Sequence, residues 1–199
     1  MTISNPIVPI RTVRHPLRGP WLFADLKSSF DALVLRLFLS KTIRRMLREQ
    51  TKMNLESVWA RCVHELDVIA IDPKLEIADT LEIHRKIVEG LPGEALFISS
   101  AMVFDSLNEA LPFFDVSAKT ARLRLGELLT ANEGETALRI GRVLTMAADV
   151  LGTLDAARTY LRTPNFALGG AIPRDLLKTA EGEHLVLNEL QTQREGGPV

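Results

Sequence analysis

Residues 131–151, ANEGETALRIGRVLTMAADVL, decide the fold class. Within them Ala137, Ile140, Gly141, Leu144, Ala147, Ala148 and Leu151 recur at spacings of three and four, the period of a helix that buries one side. Gly152 follows, and a glycine is the usual residue where a helix ends in a left-handed turn. A helix is therefore expected over Ala131–Leu151. Nowhere in the chain does an apolar/polar alternation persist, so the expected class is all-α, a helical bundle.

Downstream of that helix, Thr153 is placed to cap another that ends near Arg162, and Thr163-Pro164 breaks the chain. Leu168-Gly169-Gly170 reads as a turn, and Pro173 opens a short helix through Leu177. Thr179 caps a final helix to about Gln193, with Glu181 in its first turn, where a carboxylate is favoured. The order of these residues resembles the toxin-binding domain of the Xre/MbcA/ParS antitoxins, which has Trp/Tyr-Leu, Pro-Asn-x-x-Leu-Gly-Gly, Pro-x-x-Leu-Leu and Thr-x-Glu-Gly. Here the matching positions are Tyr160-Leu161, Pro164-Asn165, Leu168-Gly169-Gly170, Pro173, Leu176-Leu177 and Thr179-x-Glu181-Gly182. The likeness extends over roughly residues 90–199, with Val116-Ser117-x-x-Thr120 in an Xre-like helix-turn-helix ahead of the long helix from Glu133 to Leu151.

Members of that family resemble one another in neutralising a co-expressed toxin, commonly of the RES type, which degrades NAD or transfers ADP-ribose from it. The resemblance implies a type II antitoxin whose partner is a cognate RES-type toxin, its active-site entrance covered by the final helices and tail. Asn165, Leu168, Gly169, Gly170, Glu181, Arg194 and Glu195 are then the expected toxin-binding residues. Arg194 opens a short tail, Arg194–Val199, whose Gly196-Gly197-Pro198 departs slightly from the Arg/Glu-x-Gly-Val-like endings of the family. Its planar guanidinium suits bidentate pairing with a carboxylate, or the place of a cationic group in an NAD-shaped pocket; the competing account is an ordinary frayed terminus.

Catalytic chemistry finds no foothold in the sequence. Gly169-Gly170 has no preceding strand, no Gly-x-Gly-x-x-Gly and no Walker-type lysine, so the pair reads as a turn and not as a phosphate cradle. Glu181 and His184 lie one helical turn apart without a third ligand in reach, which favours a solvated face over a metal site. His15, His64 and His84 are isolated from any nucleophile arrangement. The expectation is a binding protein, not an enzyme, with no cofactor and no metal.

Residues 104–127, FDSLNEALPFFDVSAKTARLRLGE, can be laid on a degenerate helix-turn-helix. Phe104–Phe114 would be the first helix, Asp115-Val116-Ser117 the turn, and Ala118–Glu127 a second helix that aims Lys119, Thr120, Arg122 and Arg124 at a duplex. Against a DNA role stand Asp115 where glycine is usual, Pro112 inside the first helix and Ala121 where a larger apolar residue is expected. A structural or dimerising role is the competing account. The alternative function is thus a DNA-binding repressor of its own operon, with operator DNA and a second copy of the chain as partners.

The formal net charge of -1 hides an asymmetry: residues 1–52 hold ten Lys/Arg against three Asp/Glu, net +7, and residues 53–199 fourteen against twenty-two, net -8. Three regions follow: a basic leader with an amphipathic helix (1–52), a helical domain with the helix-turn-helix (53–130) and a toxin-binding domain (131–199). Residues 1–20 carry four prolines and read as extended or disordered; from Ser28 or Ser29, Phe30, Leu33, Leu37, Ile43 and Leu47 mark one face of a helix whose other face carries Arg36, Lys41, Arg44, Arg45 and Arg48. That leader is either a genuine arm or translation begun upstream of the true start. Further on, Val58, Cys62, Val63 and Leu66 mark a second helix; Pro73 ends it, and Leu75, Ile77, Ala78, Leu81, Ile87 and Val88 mark a third that stops at Gly90-Leu91-Pro92-Gly93. The most apolar stretch, Ala32 to Leu39, is cut by Arg36 and far shorter than a membrane span; with a single cysteine, Cys62, a cytoplasmic protein with no membrane partner is expected.

Overall fold

The computed structural model describes residues 34–35, 38–39, 41–49, 54–68 and 80–196. Among them ten α-helices form: α1 (Lys41–Glu49), α2 (Leu55–Val68), α3 (Thr80–Glu89), α4 (Glu94–Val103), α5 (Leu107–Phe114), α6 (Ala118–Arg124), α7 (Ala131–Leu151), α8 (Leu154–Arg162), α9 (Pro173–Leu176) and α10 (Ala180–Arg194). A 3₁₀ turn covers Phe166–Leu168. No strand occurs among the described residues, where an antiparallel bridge between Pro92 and Leu128 ties α4's entrance to α7's. The all-α class holds.

Two helices organise the rest. α7 runs over the 21 residues expected of it, opened by a reciprocal cap in which Thr130 N–H donates to Glu133 Oε2 (2.8 Å) and Glu133 N–H to Thr130 Oγ1 (3.3 Å). Gly152 closes it in the left-handed region. α4 has all ten residues buried and is apolar on every side, which is why no single stripe marks it in the sequence. Its two serines satisfy their hydroxyls within the helix, Ser99 on Ala95 O and Ser100 on Leu96 O. α7 packs on α4, α8 and α10, while α2 covers the far side of α4 with Val58 and Cys62 buried. Burial pushes the Cys62 thiol up to about 12.

The early helical residues share this core. Val34, Leu35, Phe38 and Leu47 are buried, and Val34 lies against Gly141 of α7, where an added Cβ would come within 2.5 Å of its Cγ1. Arg44 and Arg48 of α1 reach Glu94, the first residue of α4, whose side chain is fully buried: Arg48 Nε donates to Oε1 and Arg44 Nε stands 3.7 Å from Oε2. The charges read as a solvated face are therefore partly a clasp on the core. Ser28, Ser29, Phe30, Leu33, Arg36, Leu37, Pro73, Leu75, Ile77 and Ala78 lie outside the described residues, as do the side chains of Lys41, Ile43 and Leu66.

Three expected details differ. In α3, Leu81 and Val88 are exposed, and Ile83 with Ile87 faces the core. Of that i, i+4 pair, Ile87 lies beside Gly134 of α7. The helix expected from Phe104 starts at Leu107, because Phe104 already ends α4 with its N–H on Ser100 O (3.0 Å), and Ser106 provides the new cap. The next helix stops at Arg124 instead of Glu127, since Glu127 turns back to accept Gly93 N–H (2.9 Å).

Candidate functional site

The loop between α8 and α9 is built by Asn165. Its side-chain oxygen accepts Ala167 N–H (2.8 Å), its own N–H donates to Ala171 O (3.0 Å), and its carbonyl accepts Gly170 N–H (2.9 Å). Gly169 (φ 67°) and Gly170 (φ 81°) both sit in the left-handed region, a pair of conformations two side-chain-bearing residues would resist. Asn165 Nδ2 donates to Glu189 Oε1 of α10 (3.4 Å), tying the loop to that helix, and Leu168 packs inward on the core. Tyr160 is the support beneath: burial first, then the Glu189 carboxylate, holds its hydroxyl neutral well above the usual phenol range.

The start of α10 is fixed just as closely. Thr179 Oγ1 accepts Gly182 N–H (3.0 Å), and Gly182 lies so near Leu176 that a Cβ would overlap the Leu176 carbonyl. The Thr-x-Glu-Gly run is thus a cap followed by a close helix contact. Glu183, buried, accepts from Arg142 and lies 3.5 Å from Arg139, which also donates to Leu177 O (3.2 Å). This cluster was missed in the sequence, although Arg139 and Arg142 stand among the apolar positions of α7, an unusual place for charge.

Asn165, Leu168, Gly169 and Gly170 come together in one turn, and Glu181 is exposed in the first turn of α10. Arg194 and Glu195 stand roughly 20 Å further along by helix rise. Arg194 belongs to the last turn of α10 and not to a tail, its Nη1 lying 3.8 Å from Asp149 Oδ2, while Glu195 accepts from Gln191. Gly197, Pro198 and Val199 lie outside the described residues. Phe166, unmarked in the sequence, is 98% exposed at the tip of the loop.

The helix-turn-helix residues lie elsewhere. Asp115 takes the left-handed turn conformation (φ 53°), Ser117 Oγ accepts Thr120 N–H (3.1 Å), and Lys119 and Arg122 are exposed. Arg124 is engaged inside the fold, donating to Glu133 Oε1 from Nε (3.1 Å) and Nη2 (2.9 Å) and to Glu127 (3.3 Å), and the Glu133 bond above all raises its pKa. Among the described residues no group of three His, Cys, Asp or Glu could hold a metal, and no helix is long and apolar enough to cross a membrane.

A comparison with curated proteins finds no match. Residues 146–196 match the model of the antitoxin Xre/MbcA/ParS C-terminal toxin-binding domain. The match spans the end of α7, the Asn165 loop and α10, and this part of the chain is similar to that toxin-binding domain.

Proposed function

We propose that this protein is the antitoxin of a type II toxin-antitoxin pair, neutralising a RES-type toxin that consumes NAD or transfers ADP-ribose. The observation that carries the reading is the Asn165 loop locked onto α10 within the matched toxin-binding domain. Such an inhibitor needs no catalytic groups, only a surface that stays in shape while it covers the toxin's entrance. In this role Asn165, Gly169 and Gly170 hold the contact turn, Leu168 backs it, Glu181 borders it, and Arg194 with Glu195 reaches the far edge. Arg194 is easily released, since an ion pair at 3.8 Å near the surface contributes at most about 1 kcal/mol. Region 131–199 then works as the toxin-binding domain, with 53–130 and the basic 1–52 region as its support, in the cytoplasm where NAD is used.

Co-expression with the adjacent reading frame tests this. That product alone should arrest growth and deplete NAD, and this chain should relieve both; arrest that persists in its presence sinks the antitoxin role. Arrest that is relieved without any change in NAD would keep an antitoxin and discard the RES chemistry.

A second reading, repression of its own operon, is favoured by the Ser117-capped turn that leaves Lys119 and Arg122 exposed beside Thr120. Arg124 contributes there only by leaving Glu133. A mobility shift on the upstream promoter should weaken at least tenfold in Lys119→Ala/Arg122→Ala, two phosphate-reaching charges being removed; an unchanged shift excludes α6 as the reader.

A further inference from the structure

The exposed side of α10 runs through Glu181, His184, Leu185, Asn188 and Thr192, the i, i+3, i+4, i+7, i+11 line opposite its buried face. Leu185 is 53% exposed on that line, one turn before Glu189, the residue to which Asn165 fastens the loop. Phe166 follows Asn165 directly and is 98% exposed. A free phenyl ring in water is unfavourable by the full transfer term for its area, and a loop built from six backbone and side-chain hydrogen bonds holds this one in place. Glu181 and Glu189 flank Leu185 one turn to either side.

We propose that Phe166, with Leu185 on the helix to which its loop is fastened, is the apolar anchor of the toxin interface, and that it enters an apolar pocket of the toxin bordered by cationic side chains. The inference rests on the antitoxin reading and adds the chemistry of the partner's surface. Three features select that occupant. The residues belong to the matched toxin-binding domain. An aromatic ring with two rotatable bonds, already ordered by its loop, is the kind of group on which interface affinity concentrates. The carboxylates on either side of Leu185 call for positive charge at the rim.

The test uses the full chain and the purified product of the adjacent toxin reading frame, carrying an inactivating substitution, in a binding titration. Phe166→Ala should weaken binding at least about 30-fold, the tenfold-per-1.4 kcal/mol equivalent of a 2 kcal/mol hot spot, with the thermal midpoint of the free chain unchanged. Phe166→Trp should retain binding within about tenfold, and Leu123→Ala, an exposed leucine on α6, should leave it unaltered. Glu181→Lys should slow association severalfold and flatten its salt dependence. Wild-type affinity in Phe166→Ala overturns the anchor while leaving the antitoxin reading intact. Association unaffected by Glu181→Lys overturns the cationic rim. A wild-type chain that binds no toxin removes the antitoxin reading and the anchor with it.

Discussion

The fold uses one device at two places, and the two differ in their access to water. In each, a buried glutamate at the start of one helix is gripped by two arginines from another: Glu94 of α4 by Arg44 and Arg48, and Glu183 of α10 by Arg139 and Arg142. The first pair of guanidiniums reaches in from solvent, Arg48 being 51% exposed; in the second, Arg142 is 3% exposed and its carboxylate 6%. A glycine contact accompanies each, Gly141 against the Val34 side chain and Gly182 against the Leu176 backbone. The difference separates a reversible latch on the early helices from a permanent joint between α7 and α10. Water can replace the arginines of the first and cannot replace those of the second.

The largest expected effect tests the joint. Glu183→Ala leaves two arginines buried without their carboxylate and should cost about 3–5 kcal/mol in denaturant unfolding. The triple change Arg139→Met/Arg142→Leu/Glu183→Met should recover most of that loss, because well-packed apolar groups replace buried ion pairs at little cost. Next, Gly182→Ala should cost about 3 kcal/mol, since rigid backbone must move. Gly141→Ala should cost about 1 kcal/mol, because Val34 shifts more easily. Equal losses at the two glycines would break the contrast. Arg44→Ala/Arg48→Ala should fall between, at about 2 kcal/mol, as water follows the side chains in to solvate Glu94. The smallest effect is salt: raising it to 1 M, where the screening length is about 3 Å, should remove a few tenths of a kcal/mol from the Glu94 latch and leave the Glu183 joint untouched, read by comparing each variant with wild type at both salt levels.

Local chemistry was legible in the sequence wherever it acts through neighbours in the chain. Thr153, Ser117 and Thr179 cap as expected, Gly152 closes α7, and Leu168-Gly169-Gly170 forms a turn. What spacing could not supply was the partner of each face. Leu81 and Val88 look like a core stripe until Ile83 is found buried and Ile87 beside Gly134 of α7. Arg44 and Arg48 look solvated because Glu94 lies far off in sequence, and Arg139 with Arg142 was hidden for the same reason. Phe166 falls at an unspecified position of the Pro-Asn-x-x-Leu-Gly-Gly run, and nothing local tells an exposed ring from a buried one. Arg194 was assigned to a tail because a helix end, one residue further on, is the least legible part of any helix.

The single thiol makes the latch side of the molecule observable in time. Cys62 sits on α2 against α4, and with its pKa pushed up to about 12 from the ordinary 9.0 it offers almost no thiolate while that contact is closed. Alkylation at neutral pH therefore counts openings of α2, with no introduced probe. The same shift sets an alkaline limit: its contribution to stability is complete below about pH 9 and is lost as the pH climbs through about 12. If the Glu94 latch opens independently of the Glu183 joint, labelling should quicken in Arg44→Ala/Arg48→Ala well before the helices around Asn165 lose their structure.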